Sequence, residues 1–246
     1  MLTVALERLG LAPGARLLDV GCGGGRHIRA SRHLPGIHAV AVDLAAKEVE
    51  ETRASLELLD KLPAADGGSI PAAGTWGVTR ASVYELPFDE ESFDCVIISE
   101  VLEHLHREDD ALRELSRVLK PGGVLAVSVP RTVPEAVCWA LSPQYRNSPG
   151  GHLRIYRRSQ LWSLIEAHGY RVTGSHFAHG LHSPYWWLRC ALGMDNERIW
   201  PVALYHRLLM WDLLRRPALT RWLDGALSPL IGKSVVVYAV KQGAAA

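Results

Sequence analysis

A glycine-rich turn that directly follows an apolar segment is the feature that most constrains how this chain folds. Residues 15–20 read ARLLDV, which is typical of a short buried strand, and the turn Gly21-Cys-Gly-Gly-Gly25 comes next. Glycine permits positive φ angles and allows a ligand to approach the main chain closely. Open α/β sheets bind their ligands at such a turn, outside the carboxyl end of the first strand. The pattern therefore predicts an α/β domain with a ligand at this turn.

Strand-like and helix-like segments alternate through most of the chain, which predicts a parallel sheet with helices on both faces. The predicted strands are residues 15–20, 38–43, 78–81, 94–99, 124–129, 170–177 and 234–240. The predicted helices are residues 24–33, 44–60, 109–119 and 159–168, the last with Ser159 as its N-cap. Two further segments, 63–77 and 131–151, contain many turn-forming residues and are predicted as loops.

The segment 178–232, before the last predicted strand, is far too long for a hairpin loop and is rich in tryptophan. Within it, residues 202–214 form a helix-like stretch that is apolar on nearly every side, so another surface must cover it. We expect one domain over residues 1–246, in which 178–232 is a helical insertion that caps the active site. The alternatives are a homodimer interface, a lid over an apolar substrate, or a contact with a membrane surface.

The composition argues against several classes of protein. The formal net charge is only +1, so no overall charge attracts nucleic acid. None of the four cysteines forms a C-x-x-C pair, which argues against a zinc ribbon or a redox dithiol. Free thiols are typical of a reducing cytoplasm, where we expect this protein. The beginning of the chain is too charged for a signal peptide, and no apolar stretch is long enough to predict a transmembrane segment.

An acidic residue at the end of the second predicted strand indicates what the ligand is. Asp43 stands where a carboxylate can accept hydrogen bonds from both hydroxyls of a ribose. The turn reads D-x-G-x-G-x-G, whereas a dinucleotide fingerprint reads G-x-G-x-x-G, and Arg26 occupies the place of its third glycine. This spacing argues against an NAD-dependent oxidoreductase. Together with Asp43 it also argues against a tight turn without a ligand, so we expect a nucleoside-containing ligand.

Four segments, taken in their order along the chain, resemble a known family. These are LLDVGCGGG, then Asp43, then YELPFDEESFDCVIISEVLEHL, and finally LSRVLKPGGVLAVSVP. In this combination they resemble the class I S-adenosylmethionine-dependent methyltransferases. The resemblance implies a Rossmann-like α/β fold with a seven-stranded, mostly parallel sheet, a reversed last strand and helices on both faces. It also implies that S-adenosylmethionine is the cofactor.

The resemblance further implies roles for individual residues. The glycines would pass under the methionine moiety, with Asp19 supporting the turn, while Asp43 would hold the ribose and Leu44 would pack on the adenine. Ser82 stands where the family often has an aspartate, and its hydroxyl would bind the adenine amino group while the backbone N–H of Val83 meets the ring. The expected cofactor-binding residues are Asp19, Gly21, Cys22, Gly23, Gly25, Asp43, Leu44, Ser82, Val83, Tyr84 and Ser99.

An acidic motif just after the fourth predicted strand indicates a metal site. Residues 100–104 spell E-x-x-E-H, and in a helix Glu100 would share a face with both Glu103 and His104. Two carboxylates and an imidazole suit Mg²⁺ or Mn²⁺. The motif, with a later histidine, is similar to that of the ubiquinone-biosynthesis O-methyltransferases and the small-RNA 2′-O-methyltransferases, which implies a metal that activates a substrate hydroxyl. The expected metal ligands are Glu100, Glu103, His104 and His152.

The same residues permit chemistry without a metal. His104 alone can act as a general base, in which case Glu103 is a solvated helix charge. The expected catalytic residues are His104, Glu100 and His152. Tyr145 and Arg146, in the loop before His152, are either pocket residues or part of an ordinary surface loop.

We therefore expect methyl transfer from S-adenosylmethionine to a small-molecule acceptor, with O-methylation preferred over N- or C-methylation. The reaction is an in-line displacement, for which the enzyme mainly has to align the donor with the acceptor. Two alternatives stay open. A nucleic-acid (RNA) methyltransferase would need a basic stripe or an added binding module, and neither is visible. A non-catalytic nucleoside-binding scaffold would act through its insertion.

Overall fold

The computed structural model describes residues 2–61, 74–148, 150–194, 196, 199–215 and 217–243. The strands in this part of the chain are β1 (Arg16–Val20), β2 (His38–Asp43), β3 (Trp76–Arg80), β4 (Phe93–Ser99), β5 (Leu119–Pro130), β6 (Tyr170–Ala178) and β7 (Ser234–Lys241). The helices are α1 (Arg26–Ser31), α2 (Ala46–Lys61), α3 (Glu108–Val118), α4 (Thr132–Leu141), α5 (Pro143–Arg146), α6 (Arg158–Ala167), α7 (His182–Leu192), α8 (Trp200–Arg215) and α9 (Ala218–Ile231). Short 3-10 turns cover Leu6–Leu9 and Leu102–His104.

The described strands form one seven-stranded sheet in the order β3-β2-β1-β4-β5-β7-β6. The first five strands are parallel to one another, whereas β7 runs antiparallel to both of its neighbours, β5 and β6. This arrangement confirms the predicted Rossmann-like sheet with a reversed last strand. The strand order reverses between β1 and β4, and ligands bind to open α/β sheets at the carboxyl ends of the strands beside such a reversal.

Two apolar cores, one on each face, hold the sheet between its helices. Neighbouring residues of a strand point to opposite faces, so Leu18 and Ile98 join one core while Leu17 and Ile97 join the other. All four side chains are fully buried. Because both faces are covered, the central strands are continuous apolar runs rather than alternating ones. This continuity is why the sequence pattern located β1 and β4 to within one residue.

The prediction was wrong for the segment after β5 and for one helix start. Residues 131–151, predicted as a loop, contain α4 and α5. Helix α6 begins at Arg158 with Arg157 as its N-cap, not Ser159. The side chain of Gln160 explains this start, because its Oε1 accepts a hydrogen bond of 2.9 Å from the Arg157 N–H. The turn-like KPGG sequence lies within β5, which begins at Leu119 directly after α3.

The segment before the last strand is helical, as predicted. It consists of α7, α8 and α9, and its buried side chains form a small cluster of their own around Leu181, Tyr185, Val202 and Leu209. Most of the predicted loop 63–77 lies outside the described residues, and β3 begins two residues before the predicted strand. In the part of the chain that the structure describes, no helix has both the length and the apolar character needed to cross a membrane.

Candidate active site

The turn between β1 and α1 depends on glycine at two positions. Gly21 and Gly25 have φ angles of 65° and 71°, in the left-handed region that side chains rarely adopt. A Cβ atom on Gly21 would lie 2.4 Å from Cγ2 of Val101, and one on Gly25 would lie 2.6 Å from Cγ2 of Thr52. At these two positions the main chain packs so closely against Val101 and Thr52 that a side chain would clash with them.

Replacing Gly21 by alanine tests this requirement. We expect Gly21→Ala to lower the free energy of unfolding by about 1–3 kcal/mol, because it combines a strained φ angle with a steric clash. The matched control is Gly24→Ala, since a Cβ atom there meets no heavy atom within 4 Å. Urea unfolding followed by circular dichroism measures both variants. Equal stability of the two would contradict the assignment of a left-handed, closely packed Gly21.

Two side chains outside the turn hold its backbone. The N–H of Gly23 donates a 2.9 Å hydrogen bond to Oδ2 of Asp43, and the hydroxyl of Thr52 donates a 2.8 Å bond to the Gly23 carbonyl. The other oxygen of Asp43 accepts a hydrogen bond from the N–H of Ala45. The carboxylate thus fixes the turn against the carboxyl end of β2, and each oxygen keeps a further lone pair for a ligand.

The support that Asp19 was expected to give this turn stays a prediction, because the side-chain hydrogen bonds to Gly23 come from Asp43 and Thr52. Asp19 is buried, and its Oδ1 lies 3.7 Å from Nδ1 of His27. Its Oδ2 has no hydrogen-bond partner among the described residues. Cys22, within the turn, is shielded from solvent, and burial raises the pKa of its thiol to about 12. At neutral pH this cysteine is therefore a protonated thiol and not a nucleophile.

The residues expected around an adenine lie along the ends of β2 and β3. Leu44 follows Asp43 and is 64% exposed, so it offers an apolar surface beside the carboxylate. Ser82 accepts a 3.2 Å hydrogen bond from the N–H of Tyr84, which shapes the turn that also contains Val83. The ring of Tyr84 is in turn covered by the guanidinium of Arg107 at 4.6 Å. An adenine between Leu44 and this turn stays a prediction.

A chain of hydrogen bonds connects the start of α1 with the end of β4. Nη2 of Arg26 donates to the hydroxyl of Ser99 at 3.0 Å, and the hydroxyls of Ser99 and Ser128 are 2.8 Å apart. The Ser128 hydroxyl donates to Oε1 of Glu100 at 2.8 Å. Because Ser128 uses its proton on Glu100, Ser99 must donate to Ser128 and accept from Arg26. From the sequence, Arg26 was recognised only as the residue in place of the third glycine of a dinucleotide fingerprint, and its contact with Ser99 was not predicted.

Glu103, His104 and His152 come together beside this chain of hydrogen bonds. Oε1 of Glu103 lies 3.8 Å from Nε2 of His104 and 4.0 Å from Nε2 of His152. One potential ligand atom from each of the three residues lies within 4.8 Å of the others. The Glu103 side chain is fully buried, and neither carboxyl oxygen has a hydrogen-bond partner in the described part of the chain. Burial, and then the nearby charge of Glu100, raise the Glu103 pKa well above its ordinary value.

The structure separates Glu100 from the other expected metal ligands. The expectation that Glu100 shares a face with Glu103 and His104 required a helix over residues 100–104, but Glu100 has a φ of 58°, and Leu102–His104 form a single 3-10 turn. The Glu100 carboxylate accepts the Ser128 hydroxyl, and Glu100 lies outside the group of three. A left-handed residue at the start of the motif breaks the i, i+3 and i, i+4 geometry on which the prediction depended.

Glu135, on α4, is a site residue that sequence analysis missed. Its Oε1 lies 2.5 Å from Nδ1 of His152, and its Oε2 accepts the Tyr145 hydroxyl at 3.2 Å. Burial alone would raise the Glu135 pKa, but the hydrogen bond and charge of His152 outweigh it, so the pKa is lowered. The ionised carboxylate holds Nδ1 and directs Nε2 of His152 towards Glu103. A glutamate within the apolar sequence TVPEAVCWAL could have indicated Glu135 as a site residue. It was missed because residues 131–151 were predicted as a loop.

His104 is oriented in a comparable way by the main chain. Its Nδ1 lies 3.2 Å from the Gly151 carbonyl oxygen, so this nitrogen carries the proton and Nε2 is left as the acceptor. Burial, followed by the proximity of His152, lowers the pKa of His104. The ring is therefore neutral at physiological pH, with its basic nitrogen beside Glu103.

The cluster opens into a cleft of about 770 Å³ that the helical segment 178–232 lines from the other side. The residues contributed by this segment include Tyr185, Trp186, Arg189, His206, Leu209 and Met210. Lys233, at the start of β7, places its ammonium group 4.2 Å from the ring centre of Trp186. The cleft thus combines acidic, basic and histidine side chains with the aromatic rings of Tyr185 and Trp186.

A buried histidine at the edge of this cleft predicts that acid lowers the stability of the fold. His179 is almost fully buried and hydrogen-bonded to the Thr3 hydroxyl at 2.9 Å, and burial lowers its pKa well below 6.5. The unfolded chain binds a proton here below about pH 6.5 and the folded chain does not, so the stability held above that pH is lost as the pH falls.

Replacing His179 should reduce this loss. Between about pH 7 and pH 5 we expect the free energy of unfolding of His179→Asn to fall less than that of the wild type, by about 1–2 kcal/mol. Asparagine suits the φ angle of 67° at this position. Urea unfolding at both pH values measures the difference, with the exposed His33→Asn as the control. Identical pH dependence of wild type and His179→Asn would refute the prediction.

Comparison with known proteins connects this geometry with one family. Residues 18–127 match the family described as "Methyltransferase domain". An O-methyltransferase (resE) of Aspergillus sclerotiorum is 31% identical over 121 residues, which are 49% of this chain and 42% of that protein. A ubiquinone/menaquinone biosynthesis C-methyltransferase (UbiE) of Vibrio cholerae is 36% identical over 120 residues, which are 48% of this chain and 42% of that protein. The chain thus spans less than half the length of these two relatives.

A solved structure extends the likeness to nearly the whole chain. The crystal structure of a SAM-dependent methyltransferase from Methanosarcina mazei superposes with a TM-score of 0.61 at 13% identity, and covers 98% of this chain and 99% of that one. At this identity the likeness concerns the fold. The match to the methyltransferase domain family covers the glycine turn, Asp43, Ser99 and residues 100–104, while the segment with the cleft-lining helices lies beyond the matched region.

Proposed function

This chain belongs to the class I S-adenosylmethionine-dependent methyltransferases, and we propose on that basis that it transfers a methyl group from S-adenosylmethionine to a small-molecule acceptor. The observation that carries the proposal is the pairing of two sites at one sheet edge. The glycine turn with Asp43 lies on one side of Ser99. The cluster of Glu103, His104 and His152 lies on the other, under a cleft large enough for a small molecule.

The glycine turn fits the cofactor on structural grounds. Gly21 and Gly25 let the turn pack closely on Val101 and Thr52, whereas a Cβ atom on Gly24 would meet no heavy atom within 4 Å, so the main chain there leaves room for a ligand. Asp43 is already held by two backbone N–H groups, so its carboxylate is preorganised to accept the ribose hydroxyls. Leu44 offers the apolar surface for the adenine, and Arg26 at the start of α1 supplies a positive charge for the carboxylate of the methionine moiety.

The acceptor is proposed to lie in the cleft, with residues 178–232 as the cap that excludes water. Alignment of donor and acceptor accounts for much of the rate of an in-line displacement, and a closed cleft provides that alignment. The basic side chains of Arg189, on the cap, and Lys233, just before β7, favour an acceptor with an acidic group. The aromatic rings of Tyr185 and Trp186 favour an aromatic or apolar body.

We propose O-methylation, with the Nε2 atom of His104 as the general base that removes the acceptor's hydroxyl proton. A neutral imidazole is the form this role requires, and the lowered pKa of His104 supplies it at physiological pH. The relatives' names include both O- and C-methyltransferases, so the acceptor atom is a matter for experiment. A carbon acceptor flanked by acidifying groups would need the same base.

A divalent metal is compatible with the same cluster. The two unpartnered oxygens of the buried Glu103 and the two Nε2 atoms beside it fit the donor set of a metal ion. With Glu100 outside the group, one carboxylate and two imidazoles suit Mn²⁺ better than Mg²⁺, which prefers oxygen ligands. Such an ion would lower the pKa of an acceptor hydroxyl. Glu103, His104 and His152 would hold it, and Glu135 would orient His152.

Incubation with labelled cofactor tests the proposal directly. The protein is mixed with S-adenosylmethionine carrying an isotopic methyl group and with an extract that is then separated into metabolites, RNA and protein. We expect the label in a metabolite, with a mass gain of one CH₂ unit. Label in RNA would instead support a nucleic-acid methyltransferase. Cofactor binding without label in any fraction would support a non-catalytic nucleoside-binding scaffold.

A further inference from the structure

The outer side of helix α8 carries large apolar side chains that are exposed to solvent. Trp200, Leu204, Leu208 and Trp211 recur every three or four residues and therefore lie on one side of the helix. All four are exposed, Trp200 to 75%, and together they line one continuous groove. A continuous apolar groove of this kind is rare on a protein surface without a binding partner.

The other sides of α8 either pack into a core or line the cleft. Val202 and Leu209 are buried in the small core of the segment 178–232. His206, Met210 and Leu213 line the cleft. Since the core and the cleft account for these two sides, neither explains the exposed stripe that contains Trp200 and Trp211.

Helix α9 carries further exposed apolar side chains. Leu219, Trp222 and Leu230 are each exposed to more than 60%. The end of α8 is tied to the start of α9, because the Thr220 hydroxyl donates a hydrogen bond to Asp212. We call the exposed α8 stripe the outer face of the cap, which consists of Trp200, Leu204, Arg207, Leu208, Trp211 and Arg215. It contains two tryptophans.

The charges on the outer face are of one sign. Arg207 and Arg215 on this face are exposed, and so is Arg221 on α9. Among the described residues of α8 and α9 the carboxylates are Asp212, which is buried, and Asp224, which is half-buried and accepts the Leu181 N–H at 2.9 Å. The exposed side of these helices is therefore both apolar and cationic, in a chain whose net charge is only +1.

We propose that the outer face of the cap docks onto the surface of an anionic lipid bilayer. Helices that lie in a membrane interface combine tryptophan and leucine, which enter the boundary between headgroups and acyl chains, with arginines that contact lipid phosphates. The outer face has both components, and its positive charge complements an anionic surface. Because the opposite sides of α8 line the cleft, docking brings the cleft close to the bilayer.

The charge pattern disfavours a second copy of the chain as the occupant. In a two-fold dimer the same surface meets itself, so the arginines of one outer face would approach those of the other. No exposed carboxylate on the described residues of α8 and α9 is available to neutralise them. The homodimer expected from the sequence is accordingly the competing outcome of the experiment.

Vesicle co-sedimentation of the full chain tests the proposal without any methyl acceptor, so its result is independent of the proposed function. One set of vesicles is phosphatidylcholine alone, and the other contains about one third phosphatidylglycerol. We expect the protein to sediment with the anionic vesicles and to stay in solution with the neutral ones. Raising the salt concentration to about 1 M should weaken binding, because ions screen the arginines.

Two pairs of variants identify the surface. The double variant Trp200→Ser/Trp211→Ser should lose most of the binding, while Leu58→Ser, an exposed apolar residue on α2, should bind like the wild type. Arg207→Glu/Arg215→Glu should reduce the partition coefficient at least tenfold, since each surface arginine contributes about fivefold. The control for this pair is Arg171→Glu, an exposed arginine on β6. All the substituted side chains are exposed, so folding should be retained, which thermal unfolding checks.

Three results would overturn the proposal. The first is no sedimentation with either kind of vesicle. The second is equal binding of Trp200→Ser/Trp211→Ser and wild type to anionic vesicles, which would locate the contact elsewhere. The third is a concentration-dependent dimer in sedimentation velocity that Trp200→Ser/Trp211→Ser dissociates, without vesicle binding, which would assign the outer face to a second copy.

Discussion

Replacing His104 by alanine is expected to slow methyl transfer by about 10²- to 10⁴-fold while leaving the affinity for S-adenosylhomocysteine unchanged. The variant removes the Nε2 atom that faces the cleft but none of the contacts of the glycine turn. The rate of label transfer to the acceptor identified in an extract measures the loss, and calorimetry measures the affinity. His106→Ala, an exposed histidine two residues away, is the matched control and should behave like the wild type.

Chelation then separates a general base from a metal ligand. If a metal ion is bound by Glu103, His104 and His152, a chelator should abolish turnover, and Mn²⁺ should restore it better than Mg²⁺. Glu103→Gln should then lose activity without losing cofactor affinity. If turnover survives chelation but not His104→Ala, His104 acts alone as the base. If His104→Ala itself is fully active, the chemistry does not take place at this cluster.

Replacing Asp43 by alanine is expected to weaken binding of S-adenosylhomocysteine by about 1–3 kcal/mol, which is roughly 5- to 150-fold. Two losses combine in this variant. The ribose hydroxyls lose their acceptor, and the Gly23 N–H loses the 2.9 Å hydrogen bond that holds the turn. Asp43→Asn keeps one oxygen for the Gly23 N–H and should fall between the wild type and Asp43→Ala. Glu50→Ala removes an exposed carboxylate from α2 and serves as the control. Unchanged affinity of Asp43→Ala would mean that the carboxylate does not face the ribose.

The sheet and the glycine turn could be predicted from the sequence because local patterns determine them. A strand that is covered on both faces must be apolar throughout, so β1 and β4 stand out from their surroundings. A turn that requires positive φ angles requires glycine, so Gly21 and Gly25 are visible without any structure. Asp43 is equally visible, because it ends a strand directly beside that turn.

The cluster around Glu103 could be predicted only in part, because long-range contacts and one unusual backbone angle assemble it. No local pattern indicates that Glu100 adopts a left-handed conformation, which directs its carboxylate to Ser128. His152 reaches Glu103 from a segment almost fifty residues further along the chain, and its orientation depends on Glu135 from yet another helix. Sequence spacing within a helix relates near neighbours only, so it predicted the residue types but not their partners.

The exposed side of the cap could likewise be predicted only in part from the sequence. The sequence of α8 is apolar all round, which predicts that the helix is covered but not by what. The structure assigns Val202 and Leu209 to a core and leaves Trp200 and Trp211 on the surface. That separation into buried and exposed sides depends on how α7, α8 and α9 pack, and no periodicity in the sequence reveals it.

The proposed methyl transfer depends most on the identity of the ligand at the glycine turn, which calorimetry tests directly. S-adenosylhomocysteine and NAD are titrated separately into the same preparation of the full chain. We predict that S-adenosylhomocysteine binds at one site per chain, that Asp43→Ala weakens this binding, and that NAD gives no binding heat. Binding of NAD together with no signal for S-adenosylhomocysteine would contradict the assignment of the turn, of Asp43 and of the proposed methyl transfer.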